Sequence, residues 1–146
     1  MNAIMALTQK VSYPLLRIAM GVVLGWIGLL KFVDPSPVVG LLAASFSFLA
    51  SPTIVYILGA VEVALALALF ANFRVEYVGL ILMGLFVGTL AIFVIAPQVS
   101  GIPLLTLPGE FLLKDLVLFA ASCTLSAMAS SGVATREMPA QLRRAA

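Results

Sequence analysis

Four windows of nearly continuous apolar sequence, roughly Ser12 to Val33, Thr53 to Ala71, Tyr77 to Ala96 and Phe111 to Ser130, decide most of what this chain can fold into. Each is close to the ~20 residues that an α-helix needs to cross a hydrocarbon core of ~30 Å. Inside lipid the backbone has to satisfy its own hydrogen bonds, so windows of this length become helices. Composition agrees, with 63% hydrophobic residues and 10% charged, against about 25% charged in a soluble domain. Four spans use up most of 146 residues, so function has to reside in the bundle or its short loops. The expected fold is an all-α integral membrane protein: a four-transmembrane-helix bundle over residues 1–130, followed by a basic cytoplasmic tail over 131–146.

Absences narrow the chemistry. The chain has no histidine and a single cysteine, Cys123. Histidine-ligated haem, a His or Cys zinc site, an intramolecular disulfide and a CxxC redox pair are therefore excluded, and no metal and no cofactor of the chain's own is expected. Cys123 reads as a small buried hydrophobe. A net charge of +2 is too small to imply nucleic acid. The opening "MNAIMALTQK" lacks the layout of a secretory signal, and the first helix is expected to be retained.

The joints carry their own punctuation. Ser51-Pro52 precedes the second window, "NFRVE" separates the second from the third, and Pro97, Pro103 and Pro108 are expected to keep the next connection from being helical. Between the first two windows lies "SPVVGLLAASFSFLASP". The ~14 residues between its outer prolines reach only ~21 Å as a helix, too short to span, so a short re-entrant or interfacial helix is expected. Lys10, Arg17, Arg74, Arg136, Arg143 and Arg144 fall on one side of the threading, and Lys31 and Lys114 on the other. This bias places both termini in the cytoplasm, with the tail near anionic headgroups. Gly21 and Gly25, and Gly84 and Gly88, are spaced for close helix approach, read as packing within the chain.

Charges inside the spans carry the functional reading, since each costs about 2.5 to 3.5 kcal/mol at a helix centre. Glu62, in "YILGAVEVALALALF", sits near mid-bilayer, either as a neutral packing glutamate or as a proton-handling or ligand-binding carboxylate. Lys31, near the exit of the first span, can extend its ammonium to the interface. Trp26 lies too deep for the aromatic belt, and its indole should seek a partner. In "GEFLLKDL", Glu110 and Lys114 have the spacing of an i to i+4 pair. Asp115 is rotated ~100° from Lys114 and is expected to pair with Lys31 instead. Antiparallel threading gathers Lys31, Asp34, Glu110, Lys114 and Asp115 in one layer, with Glu62 roughly 12 Å deeper. Such a cluster forms either a structural ion-pair network or a binding pocket.

The runs "GWIGLLKF", "LGAVEV", "GTLAIF" and "GEFLLKDL", in that order, resemble the YkgB/RclC-like bacterial inner-membrane proteins of the wider DoxX-like group. The characteristic positions are Trp26, Gly28, Lys31 and Phe32, Gly59 and Glu62, Thr89, and Lys114 and Asp115. The resemblance implies a four-helix bacterial inner-membrane protein with a role in defence against oxidants, including reactive chlorine species. It implies no settled reaction, and the loop "VDPSPVVG" is shorter than is typical of the group. Three functions are consistent with these residues. One is a protein that binds a small polar or quinone-like ligand through Trp26, Lys31, Glu62, Lys114 and Asp115, with Asp34, Thr89 and Glu110 at its edge. The others are a proton-coupled transporter or channel using Glu62, and a structural or assembly subunit. Expected partners are membrane lipids, further copies of the chain, or a membrane protein that supplies electrons.

Overall fold

A computed structural model of the chain describes residues 2–101 and 103–131, with side chains from residue 4. Among the described residues the protein is an all-α membrane bundle with no strand. Its elements are α1 (Asn2–Val33), α2 (Ser36–Ser45), a single 3-10 turn (Ser47–Leu49), α3 (Pro52–Phe70), α4 (Val75–Leu90), α5 (Ile92–Ile95), α6 (Pro97–Ser100) and α7 (Leu107–Ser130). Four stretches are long and apolar enough to cross a membrane: Ile4–Val33, Pro52–Phe70, Val75–Ile95 and Leu107–Ser130. The basic tail anticipated after residue 130 lies outside the described residues apart from Ser131.

Helix boundaries depart from the sequence expectation at two places. The first helix begins at Asn2 rather than near Ser12, so Pro14 lies inside it. Two of the three prolines expected to break the third connection instead start helices, and Pro103 lies in a turn between them. Pro97 opens α6 and Pro108 lies in the first turn of α7, where a missing N–H costs nothing because that donor has no intrahelical acceptor. The Thr106 hydroxyl caps α7 by accepting from Gly109 N–H at 3.2 Å.

The bundle is built as two antiparallel helix pairs, α1 with α3 and α4 with α7. Glycine sets the spacing of the first pair. A Cβ on Gly28 would stand 2.9 Å from the Gly59 carbonyl oxygen, and one on Gly59 would stand 2.8 Å from that of Gly28. Gly21 lies against the Phe70 ring and Gly25 against Ala66, so one small-residue face of α1 runs the length of α3. In the second pair Gly79 lies against Ser122 and Ser126, and the Ser126 hydroxyl donates to the Glu76 carbonyl at 2.8 Å. Gly84 and Gly88 depart from expectation. A Cβ at either would meet nothing within 4 Å, because that face of α4 points away from the other helices.

Polar groups fix the end of the first pair nearest the N-terminus. Arg17 donates to the carbonyls of Leu69 and Phe70, a cation closing the C-terminus of α3 where the helix dipole favours it. The Tyr13 hydroxyl donates to Asn72 Oδ1 at 3.1 Å. Apolar packing of Met20, Leu24, Leu69, Val78, Leu82, Phe86 and Leu125 fills the centre. A smaller cluster of Ile92, Ala96 and Leu112, with Leu41 and Phe46, joins α2 to α5 and α7 at the other end.

The close contact of α1 and α3 yields a direct test. Gly59→Ala should lower thermal stability in detergent by the roughly 1–3 kcal/mol of an overpacked core, while Gly84→Ala, with open space around it, should lower it not at all. Equal melting curves for wild type and Gly59→Ala would mean that the backbones do not approach as described.

Candidate functional site

The glycine contact determines how Lys31 and Glu62 meet. Lys31 lies one turn outward from Gly28 on α1, and Glu62 one turn inward from Gly59 on α3, which offsets their backbones by about 9 Å along the axis. Side chains in a helix tilt toward its N-terminus. In an antiparallel pair that tilt carries Lys31 inward and Glu62 outward, toward each other. Their ends meet with Lys31 Nζ donating to Glu62 Oε2 at 2.5 Å, and both residues are only 5% exposed. Lys31 therefore turns into the bundle rather than extending to the interface.

Asp115, also 5% exposed, finds a donor nearer than the one expected. Lys114 Nζ donates to Asp115 Oδ1 at 2.7 Å, and with Lys31 committed to Glu62, the anticipated Lys31–Asp115 pair does not form. Backbone directions ~100° apart forbid short side chains from meeting, but the four methylenes of lysine bridge that angle. The same ammonium stands 3.8 Å from the centre of the Phe111 ring, a cation–π contact made possible by their i, i+3 spacing. Glu110 is exposed, and the i to i+4 pairing expected of it is replaced by these contacts of Lys114.

The two ion pairs face a common cavity of about 280 Å³ between the helix pairs. Lys31, Asp34, Glu62, Thr89, Lys114 and Asp115 all line it, with apolar walls from Ile27, Leu58, Phe86 and Leu118. Glu62 lies within electrostatic reach of both Lys114 and Asp115. Two anticipated residues are not among its lining. Trp26 is 68% exposed, since Gly25 and Gly28 turn the α3-facing side of α1 away from it, and Glu110 points outward. Sequence reading missed Phe111, although its spacing from Lys114 was a usable signal.

At the mouth, Asp34 accepts from the Ser36 N–H at 3.0 Å and the Ser36 hydroxyl at 2.5 Å. These bonds hold its carboxyl below the usual carboxylate range. A lowered carboxyl favours the folded state above its unfolded pKa, and this contribution disappears as pH falls through the folded value. The start of α2 is thus pinned at neutral pH. Thr89 donates its hydroxyl to the Phe86 carbonyl at 3.0 Å, which leaves its oxygen free to accept. Among the described residues no group of three or more His, Cys, Asp or Glu side chains could hold a metal ion, and Cys123 is a half-buried free thiol on α7.

Compared with protein-family models, curated proteins and solved structures, the chain has no match.

Removing one partner of a buried pair strands the other charge. Glu62→Leu should destabilise the bundle by about 3–5 kcal/mol, and Lys31→Met with Glu62→Leu should recover most of that loss. Unfolding of both single variants and the double variant in detergent measures the coupling, and additive losses would contradict a direct Lys31–Glu62 bond.

Proposed function

We propose that this chain is a DoxX-like bacterial inner-membrane protein that binds a small, uncharged polar or quinone-like ligand in the cavity between its helix pairs, and that this binding serves resistance to oxidants such as reactive chlorine species. The observation that carries the reading is the pair of ion pairs on the cavity wall. Lys31 with Glu62 and Lys114 with Asp115 sum to no net charge, and the remaining charge on the lining, Asp34, is exposed and bonded to Ser36, so an ionic ligand would bring an unmatched charge into the low-dielectric interior. Each ammonium retains donors beyond its single bond to a carboxylate. Lys114 is the accessible one, with its side chain 35% exposed. A carbonyl or hydroxyl oxygen suits it. The quinone-like class, the inner membrane and the oxidant role come from the resemblance in "GWIGLLKF", "LGAVEV", "GTLAIF" and "GEFLLKDL".

A proton-coupled path through Glu62 has less support. Arg17, toward the opposite end of the α1 and α3 pair, is committed to the α3 carbonyls, so it offers no continuation from Glu62.

Both termini are assigned to the cytoplasm, because Lys10, Arg17 and Arg74 lie toward the end of the bundle opposite Lys31 and Lys114. Cysteine labelling from outside intact cells should mark an introduced Ser47→Cys and leave Asn72→Cys unmarked; the reverse pattern would invert the topology.

Native mass spectrometry of protein extracted in mild detergent should show a co-purifying ligand. Lys114→Met should lower its occupancy at least tenfold, the equivalent of one charge-assisted hydrogen bond of about 1.5–3 kcal/mol. The same variant should fail to restore hypochlorous acid resistance to cells lacking the protein. An empty wild-type cavity with full complementation by Lys114→Met would leave the ion pairs as struts of a structural subunit.

A further inference from the structure

Helix α2 carries a glycine for which its own geometry gives no reason. Gly40 lies inside Ser36–Ser45, is exposed, and an added Cβ would meet nothing within 4 Å. Neither a turn nor a close approach requires it there, and glycine weakens a helix interior. Four residues on, along the same face, Ala44 is small as well. Together they leave hollow one side of an apolar trough of about 440 Å³, closed on the other side by Val99 of α6 and by Leu107, Pro108 and Phe111 of α7. The trough adjoins the charged cavity, and Pro37, Val38, Leu41 and Phe111 line both. On the cavity side the Lys114 ammonium stands over the ring of Phe111, which the two share.

We propose that the trough between α2 and α7 seats the hydrocarbon chain of a single-chain amphiphile, whose uncharged polar head lies against Lys114 in the charged cavity and which enters sideways from the lipid. This rests on the binding reading above and adds the ligand's chain and its route. Lipid tails are as apolar as the trough, so the head selects the molecule and the trough fixes where its chain lies. A compact polar molecule would leave the trough without a use, and a charged head against Lys114 would meet the neutral set of Lys31, Glu62, Lys114 and Asp115, with the exposed Asp34 already bonded to Ser36.

Photolabelling of the full chain in phosphatidylcholine vesicles provides the test, with a monoacylglycerol carrying a diazirine in mid-chain as the probe. Label should concentrate on the peptides around Val38 to Ala44 and Leu107 to Phe111. Gly40→Trp fills the trough from a position with open space, so its melting temperature should not fall below the wild-type value while trough labelling falls at least fivefold. Lys114→Met should cause a similar loss. A photoreactive alkylglycerol too short to reach the trough should still label the cavity in Gly40→Trp. If this short probe labels the cavity but the long one marks the trough no more than the outward face around Trp26, the chain site is overturned and the binding reading stands. If neither probe labels the cavity, both are overturned. Stronger trough labelling by a photoreactive fatty acid than by the monoacylglycerol would overturn the uncharged head.

Discussion

The backbone contact between Gly28 and Gly59 is the constraint on which the rest of the site depends. Where two helices meet without Cβ atoms, each carbonyl oxygen sits where a Cβ on the opposing glycine would crowd it, and dispersion and weak polar contacts replace the hydrophobic effect that lipid cannot supply. Lys31 and Glu62 lie one turn from this contact on opposite sides, and the tilt of helical side chains closes the remaining distance. A wider separation would leave a lysine and a glutamate each looking for water in a hydrocarbon layer. The ion pair is thus a consequence of two glycines, as much as of its own charges.

The second pair of helices meets its requirements through a connection that sequence patterning does not reveal. Ser100 accepts from the Thr106 N–H at 2.9 Å, and Gly109 packs so tightly on Ser100 that a Cβ would overlap its carbonyl oxygen. Gly101 and Leu105, both at positive φ, turn the chain back on itself between these points. The start of α7 is thereby locked to the end of α6. Phe111, Lys114 and Asp115 follow within two turns, so the register of "GEFLLKDL" against the cavity is set by a loop rather than by the helix that contains it.

Span number, the short helix between the first two spans and the layer that gathers the charges were legible in the sequence, because apolar length and the price of charge in lipid leave few alternatives. Pairing within that layer was not. Assigning Asp115 to Lys31 followed from backbone angles alone, and the reach of the Lys114 side chain reversed it. Trp26 joins the site in the sequence through the resemblance carried by "GWIGLLKF", and neither that run nor its depth fixes the direction of a helix face. The two Gly-xxx-Gly runs look alike in sequence but differ in the bundle, since Gly21 and Gly25 face α3 and Gly84 and Gly88 face outward. That distinction depends on helix rotation, which tertiary packing decides.

The way the charges are paired also bears on how a cavity inside a membrane bundle can admit anything. A Lys31–Asp115 bridge would have tied α1 to α7 across the seam, and opening the seam would have separated two buried charges at a cost of several kcal/mol. Instead Lys31 pairs within the α1 and α3 half and Lys114 pairs within α7. The bonds of Arg17 to the α3 carbonyls and of Ser126 to the Glu76 carbonyl likewise stay inside one half or the other. Among the described residues no hydrogen bond or ion pair of the cavity charges crosses between the halves, and lipid tails replace apolar contacts with little loss. Parting the bundle at this seam would leave the Lys31–Glu62 and Lys114–Asp115 pairs intact, as entry of a ligand from within the bilayer would require.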